Sequence, residues 1–250
     1  MQLSQLVGYL DEYLRVREIP DSSEALNGLQ VGGRAEVTRV AAAVDLCEAT
    51  VRLAAEQGVD FLIVHHGLFW GGLQPLTGPR LRRVAGLLSH DIALYGAHLP
   101  LDLHHDVGNN PVLARALGIK ITGQFGESRG VAIGVWGEVA VSRAELEQRL
   151  ARALGVPPKV LPFGPERTQR VGIVTGAAGG MIGQAAAVGL DTFITGEGMH
   201  HCYFDAEELG LNVFLGGHYA TETMGVKALA EHLQSRFGLP WVFLDHPTGL

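Results

Sequence analysis

Histidines and carboxylates stand in this chain where short apolar runs stop. Asp60-Phe-Leu-Ile-Val64 runs into His65-His66-Gly67, and Ile92–Ala97 runs into His98-Leu-Pro-Leu-Asp102. Leu211–Leu215 leads through two glycines to His218-Tyr-Ala-Thr-Glu222, and Thr192–Thr195 leads to Gly196-Glu197. Neutral imidazole is the commonest nitrogen ligand for first-row metals, and carboxylate oxygen completes such sets. His65, His66, Asp102, His218 and Glu222 offer three imidazoles and two carboxylates. A catalytic zinc ion takes three protein ligands and a structural one four. Five donors therefore point to two divalent cations, about 3.5–4 Å apart and bridged by a carboxylate and water. Nitrogen and oxygen donors without thiolate suit Zn, Fe, Mn or Co and do not choose among them. His98 and Glu197 are the groups expected beside these ligands as general acid or base.

The elements that must hold these residues read as alternating strands and helices. Leu3, Leu6, Val7, Leu10 and Leu14 predict an amphipathic helix over 3–17. Strands are expected at Val40–Val44, Asp60–Val64, Ile92–Ala97, Val131–Val135, Val171–Val174, Thr192–Thr195, Leu211–Leu215 and Trp241–Leu244. Helices are expected at 49–57, 81–88, 110–117, from Ser142 (a capping box with Glu145) to Leu154, at 182–188 and at 223–237. Such alternation predicts an α/β fold with largely parallel or mixed sheets covered by helices. Ligands then collect beyond the carboxyl ends of the strands, where eight of the eleven histidines fall (65, 66, 98, 104, 105, 200, 201 and 218).

The pattern is doubled. Arg39–Gly67 overlays Arg170–Gly198 without a gap at an offset of 131 (170 minus 39), with eight identities: 39/170, 40/171, 54/185, 55/186, 58/189, 60/191, 63/194 and 67/198. His66 then falls on Glu197. Ala93–Asp102 overlays Val213–Glu222, placing His98 on His218 and Asp102 on Glu222. We expect an internal duplication: two similar three-layer αβα lobes, 1–125 and 126–250, with the metal site in the cleft between them.

Composition narrows the function. The net charge of −7 with no basic block argues against nucleic acid as the main ligand. No apolar run reaches the length of a membrane span, no signal-peptide pattern opens the chain, and Cys47 and Cys202 make no disulfide framework. A cytoplasmic location is the expectation. Thr175-Gly-Ala-Ala-Gly-Gly-Met-Ile-Gly183 links a strand to a helix and offers backbone N–H groups to a phosphate, but lacks the Lys-Ser/Thr of a P-loop; a tight turn with close helix packing is the favoured reading. Cys202, beside His200 and His201, reads as a small buried residue before a ligand. Phe69 and Trp70 suit either the core or a pocket for a planar base.

The motifs Gly28-Leu-Gln-Val-Gly32, His65-His-Gly-Leu-Phe-Trp70, His98-Leu-Pro-Leu-Asp102, Thr195-Gly-Glu197, Gly217-His-Tyr-Ala-Thr-Glu222 and Pro247-Thr-Gly-Leu250 together resemble the Nif-three-like family, also labelled GTP cyclohydrolase 1 type 2 homologues. The resemblance spans nearly the whole chain. It implies a dinuclear metal site at His65, His66, Asp102, His218 and Glu222, two αβα lobes, and a ring-like homohexamer. Where the family often has His-Thr-Asn-Leu-Asp, this chain has His98-Leu-Pro-Leu-Asp102, which keeps the carboxylate and removes polar neighbours. Two functions follow: a metal-dependent hydrolase of a small phosphorylated or nucleotide substrate, or a non-enzymatic protein that stores or delivers metal or acts as a scaffold.

Overall fold

Val40-Ala-Ala-Ala-Val44 and Phe61-Leu-Ile-Val64 carry no polar side chain, as strands covered on both faces require. In the computed structural model, which describes residues 1–250, the chain forms α1 (Leu3–Tyr13), β1 (Gly28–Val31), β2 (Val40–Asp45), α2 (Glu48–Glu56), β3 (Phe61–His66), α3 (Gly78–Ser89), β4 (Ala93–Gly96), α4 (Leu99–Asp102), α5 (Asn109–Leu117), β5 (Lys120–Ser128) and β6 (Val131–Ser142). It continues as α6 (Arg143–Leu154), β7 (Lys159–Pro162), β8 (Arg167–Ile173), a 3₁₀ turn at Gly179–Met181, α7 (Ile182–Ala187), β9 (Thr192–Thr195), α8 (Cys202–Leu209), β10 (Asn212–Leu215), α9 (His218–Phe237) and β11 (Trp241–Phe243).

Two compact units result: residues 1–107 with 225–246, and residues 108–224 with 247–250. The first holds a five-stranded sheet of order β1-β4-β3-β2-β11. β4, β3, β2 and β11 run parallel and β1 lies antiparallel on the β4 edge. Alternate residues go to opposite faces, as a period of two demands. Val40, Ala42, Phe61, Ile63, Ala93 and Tyr95 pack with Leu6 and Leu10 of α1 and Val226, Leu229 and Leu233 of α9. Ala41, Ala43, Leu62, Val64 and Leu94 pack with Val51 and Ala54 of α2 and Leu87 of α3. These are the three layers of an αβα sandwich.

The second unit repeats the scheme with a six-stranded mixed sheet of order β5-β6-β8-β9-β10-β7. Val171, Ile173, Ile194 and Phe214 meet α5 and α6 on one face; Phe193 and Val213 meet α7 and α8 on the other. The duplication is visible in hydrogen bonds as well as in order. Asp60 Oδ2 accepts the backbone N–H groups of Thr38 (2.8 Å) and Arg39 (3.0 Å). Asp191 Oδ2 accepts those of Gln169 (2.9 Å) and Arg170 (2.8 Å). Donors and acceptor all shift by the same 131 positions. Each aspartate ties the start of its parallel strand to the strand before it.

Several elements depart from expectation. The first helix stops at Tyr13, short of 17, because Arg15 takes a left-handed φ of 54°. The closing helix begins at His218 and not at 223. β5, β7 and α8 are additional. β5 and β7 are sheet edges with few buried residues, and α8 buries only Cys202 and Ala206 while exposing Tyr203 and Phe204.

Candidate metal centre

β3 carries both histidines of its pair as its last two residues, in the parity of the strand. His65 follows Phe61 and Ile63, and His66 follows Leu62 and Val64. Both are buried. A ring nitrogen from each of His65, His66 and His98 lies within 4.8 Å of the others. The ring centroids of His65 stand 4.9 Å from those of both His66 and His98.

What decides their chemistry is the other nitrogen. His65 Nδ1 is 2.9 Å from the Ala97 carbonyl oxygen, which can only accept, so Nδ1 carries the proton and Nε2 keeps its lone pair. Nε2 sits 3.5 Å from Asp102 Oδ2, whose carboxylate α4 supplies at its last residue. His66 Nδ1 is 2.8 Å from Asp45 Oδ1, at the end of the neighbouring strand β2. His98 Nδ1 is 2.9 Å from Asp21 Oδ1.

Asp21 is itself built in. It accepts from Asn27 Nδ2 (2.8 Å), from the Leu99 amide (2.9 Å) and from the Ser22 amide (2.6 Å), while Asn27 Oδ1 accepts the His98 amide at 2.7 Å. Burial pushes the Asp21 carboxyl up, but the hydrogen bond and charge of His98, with the bonds from Asn27 and Ser22, outweigh it and hold it below the usual carboxylate range. Gln30 performs a similar task for the chain after His66. Its Oε1 accepts the Leu68 amide at 2.7 Å and its Nε2 donates to Leu26 O at 2.8 Å. Gly67 and Gly96 are glycines because a Cβ at either would run into the Gln30 amide. The half-exposed Trp70 lies over the group, 4.5 Å from His98 and 4.9 Å from His66 between ring centroids.

In the second unit His218 and Glu222 fall one helical turn apart at the start of α9, so they share a face. His218 Nε2 is 3.1 Å from Glu222 Oε2, and His218 Nδ1 is 2.9 Å from Glu197 Oε1. The hydrogen bond to buried Glu222 is the largest influence on the imidazole. Burial opposes it and Glu197 reinforces it, and the pKa is pushed up to about 9. Gly176 approaches Glu222 with a φ of 70° that only glycine tolerates well, and a Cβ there would collide with the carboxylate.

The glycine-rich stretch after β8 is thereby accounted for. The amide of Gly176 donates to Thr221 Oγ1, that of Ala178 to Thr195 Oγ1 and that of Gly179 to Glu197 O. Its N–H groups hold the walls around Glu222 and Glu197, in keeping with the close-packed turn and not with a phosphate cradle.

Of the residues singled out in the sequence, His65, His66, His98 and Asp102 thus gather in the first unit and Glu197, His218 and Glu222 in the second. Asp21, Asn27, Gln30 and Asp45 were not anticipated. The donor set fits a divalent cation: nitrogen and oxygen only, with every imidazole tied through Nδ1 to an oxygen. That second bond fixes ring orientation and tautomer in metal-binding histidines generally.

A two-unit α/β chain whose strand ends carry oriented histidines and carboxylates defines the class. The family model for Duf34/NIF3 (NGG1p interacting factor 3) matches residues 1–248, and the chain belongs to that family. A Deinococcus radiodurans protein named GTP cyclohydrolase 1 type 2 homolog is 45% identical over 248 residues, covering 98% of this chain and 94% of its own. One of the same name from Archaeoglobus fulgidus is 43% identical over the full length of both. Among solved structures, TTHA1606 of Thermus thermophilus superposes with a TM-score of 0.91 at 48% identity, covering all of both chains. The protein ybgI, described as of unknown function, gives 0.93 at 38% identity, again over all of both.

Proposed function

We propose that the protein binds two divalent metal ions per chain through His65, His66, Asp102, His218 and Glu222, and that it hydrolyses a small phosphorylated or nucleotide substrate. The observation that carries this reading is the Nδ1 hydrogen bond of each imidazole: to Ala97 O from His65, to Asp45 from His66 and to Glu197 from His218. When bound, divalent ions supply an activated water and polarise the bond under attack.

The chain's own residues do the rest. His98 and Glu197 move protons. His98 is held at Nδ1 by Asp21, which leaves Nε2 to give or take one. Glu197 works from its place on His218, at the half-exposed end of that pair. Trp70 offers an aromatic face on which a planar base stacks. The name shared by the relatives suggests GTP as the first substrate to try. The same reading includes assembly as a homohexamer.

The test is direct. Metal-loaded protein is incubated with GTP and with generic phosphoesters, and bound metal is counted per chain. Turnover lost in His66→Ala and Glu222→Ala, together with their metal, supports the proposal. Turnover that persists in both removes it. Two bound ions without turnover of any substrate would favour storage or delivery of metal instead.

A further inference from the structure

A second group of metal-capable side chains stands apart from these ligands, at the start of α8. His201, Cys202 and Asp205 present a ring nitrogen, a thiol sulfur and a carboxylate oxygen that all lie within 4.8 Å of one another. We propose that these three residues form a separate site for one borderline-soft divalent cation, with zinc the best match.

Three observations converge on it. The first is position: His201 and Asp205 are four apart, one turn on the same face, and the Cys202 sulfur comes within 4.8 Å of both donor atoms at the helix start, so no loop has to fold over to bring the three together. The second is commitment. Neither the imidazole of His201 nor the carboxylate of Asp205 makes a hydrogen bond or ion pair with any other residue. The cluster His104, His105 and Asp106 makes the contrast, because His104 Nδ1 already accepts the backbone amides of Asp106 (3.2 Å) and Val107 (3.4 Å).

The third is the thiol's surroundings. Cys202 is 2% exposed, and Gly179 and Gly198 make its room, since a Cβ on either would come to 2.9 and 3.0 Å from Sγ. Burial keeps the thiol protonated without a cation, while the backbone at Met199 and Cys202 hydrogen-bonds to the sulfur and favours the thiolate. Thiolates that ligate metal are deprotonated by the cation itself, so the buried proton leaves on binding and not before.

A sulfur, a nitrogen and an oxygen donor suit zinc, with water as the fourth ligand. Donors on one tetrahedral zinc are separated by about 3.5 Å, judged from ordinary Zn–N and Zn–S distances. The three donor atoms stand within 4.8 Å of one another, and the His201 side chain is exposed and makes no other bond that would hold it away.

Sulfur makes the site separable from the one proposed at His66 and Glu222, which has no thiolate. Metal-free protein is titrated with Co²⁺ while the near-ultraviolet thiolate-to-cobalt charge-transfer band is followed. We expect a band that saturates within the three equivalents the chain would take up, with the intensity of one thiolate–cobalt bond per chain, that vanishes in Cys202→Ser, and that survives in Cys47→Ser and in His66→Ala. Should Cys202→Ser fail to fold, the exposed His201→Ala variant decides: the cobalt concentration for half-saturation should rise at least about tenfold, and likewise in Asp205→Ala. No band in the wild type at saturating cobalt, a band that outlives Cys202→Ser, or a titration unmoved by both His201→Ala and Asp205→Ala would overturn the site.

Discussion

An imidazole ligates through the nitrogen it leaves unprotonated, so the residue that holds its other nitrogen shares in the affinity. Asp45 is the clearest case, because it reaches His66 from a neighbouring strand and is itself partly exposed. Asp45→Ala should leave the fold intact, release the His66 ring and weaken metal binding about 10–100-fold, as loss of such outer partners does. Competition with a chromophoric chelator measures it, and an unchanged affinity would make Asp45 a surface residue that happens to touch His66. His218 adds a pH dependence of definite sign. Without metal its pKa is raised from the ordinary 6.5 to about 9 by Glu222 and, after the opposing effect of burial, by Glu197. A raised pKa stabilises the metal-free fold fully below about pH 6.5, and the contribution is lost as pH climbs through about 9. The same proton occupies the nitrogen a cation needs. Apparent metal affinity should therefore rise with pH up to about 9, with proton release on binding below that, read by calorimetry in buffers of different ionisation enthalpy.

At the scale of elements, the paired aspartates Asp60 and Asp191 are predicted to act alike. Each accepts two backbone N–H groups at the start of a parallel strand, and removal orphans both donors. Asp60→Ala and Asp191→Ala should each cost about 1–3 kcal/mol, more for the better buried Asp60, measured by denaturant unfolding. A neutral result at either would mean that water replaces the carboxylate. These two are readable from the sequence as a repeated Asp in register, and the strand ends that carry histidines are readable as apolar runs that stop at histidine. The residues that orient these histidines and the chain beside them are not. Asp21 is 77 positions from His98 and Gln30 is 38 from Leu68, and nothing in a polar loop such as Asp21-Ser-Ser-Glu24 says which distant ring it will meet. The overlooked α8 has a similar cause. Its inward residues are the small Cys202 and Ala206 and its aromatics point outward, so the apolar periodicity that marks a helix is inverted. β5 and β7, edge strands with little to bury, give almost no alternation to detect.

For the whole molecule the question is how far its stability rests on metal. No helix is long and apolar enough to cross a membrane, and the charge of −7 disperses over the chain. The two cores of each unit are apolar and close-packed, which predicts that the chain stays folded without metal. Yet His65, His66 and Asp102 are buried at the end of β3 and beside it, and Glu222 is buried on α9. Each already has a hydrogen-bonding or ionic partner, and a bound cation would add direct charge–dipole and charge–charge attraction to these buried groups. A cation at a hundred times its dissociation constant stabilises the folded state by about 2.7 kcal/mol. For a chain of this size that corresponds to a rise of about 5–10 °C in Tm. Calorimetric melting of metal-loaded protein should therefore show a drop of that order on chelation, reversed by added Zn²⁺ or Mn²⁺. The drop should shrink sharply in Glu222→Gln, which keeps the side chain's volume and removes its charge. A chelation effect of the same size in that variant would mean that the stabilising ion sits elsewhere in the chain, and the proposed ligands would have to be abandoned as the centre.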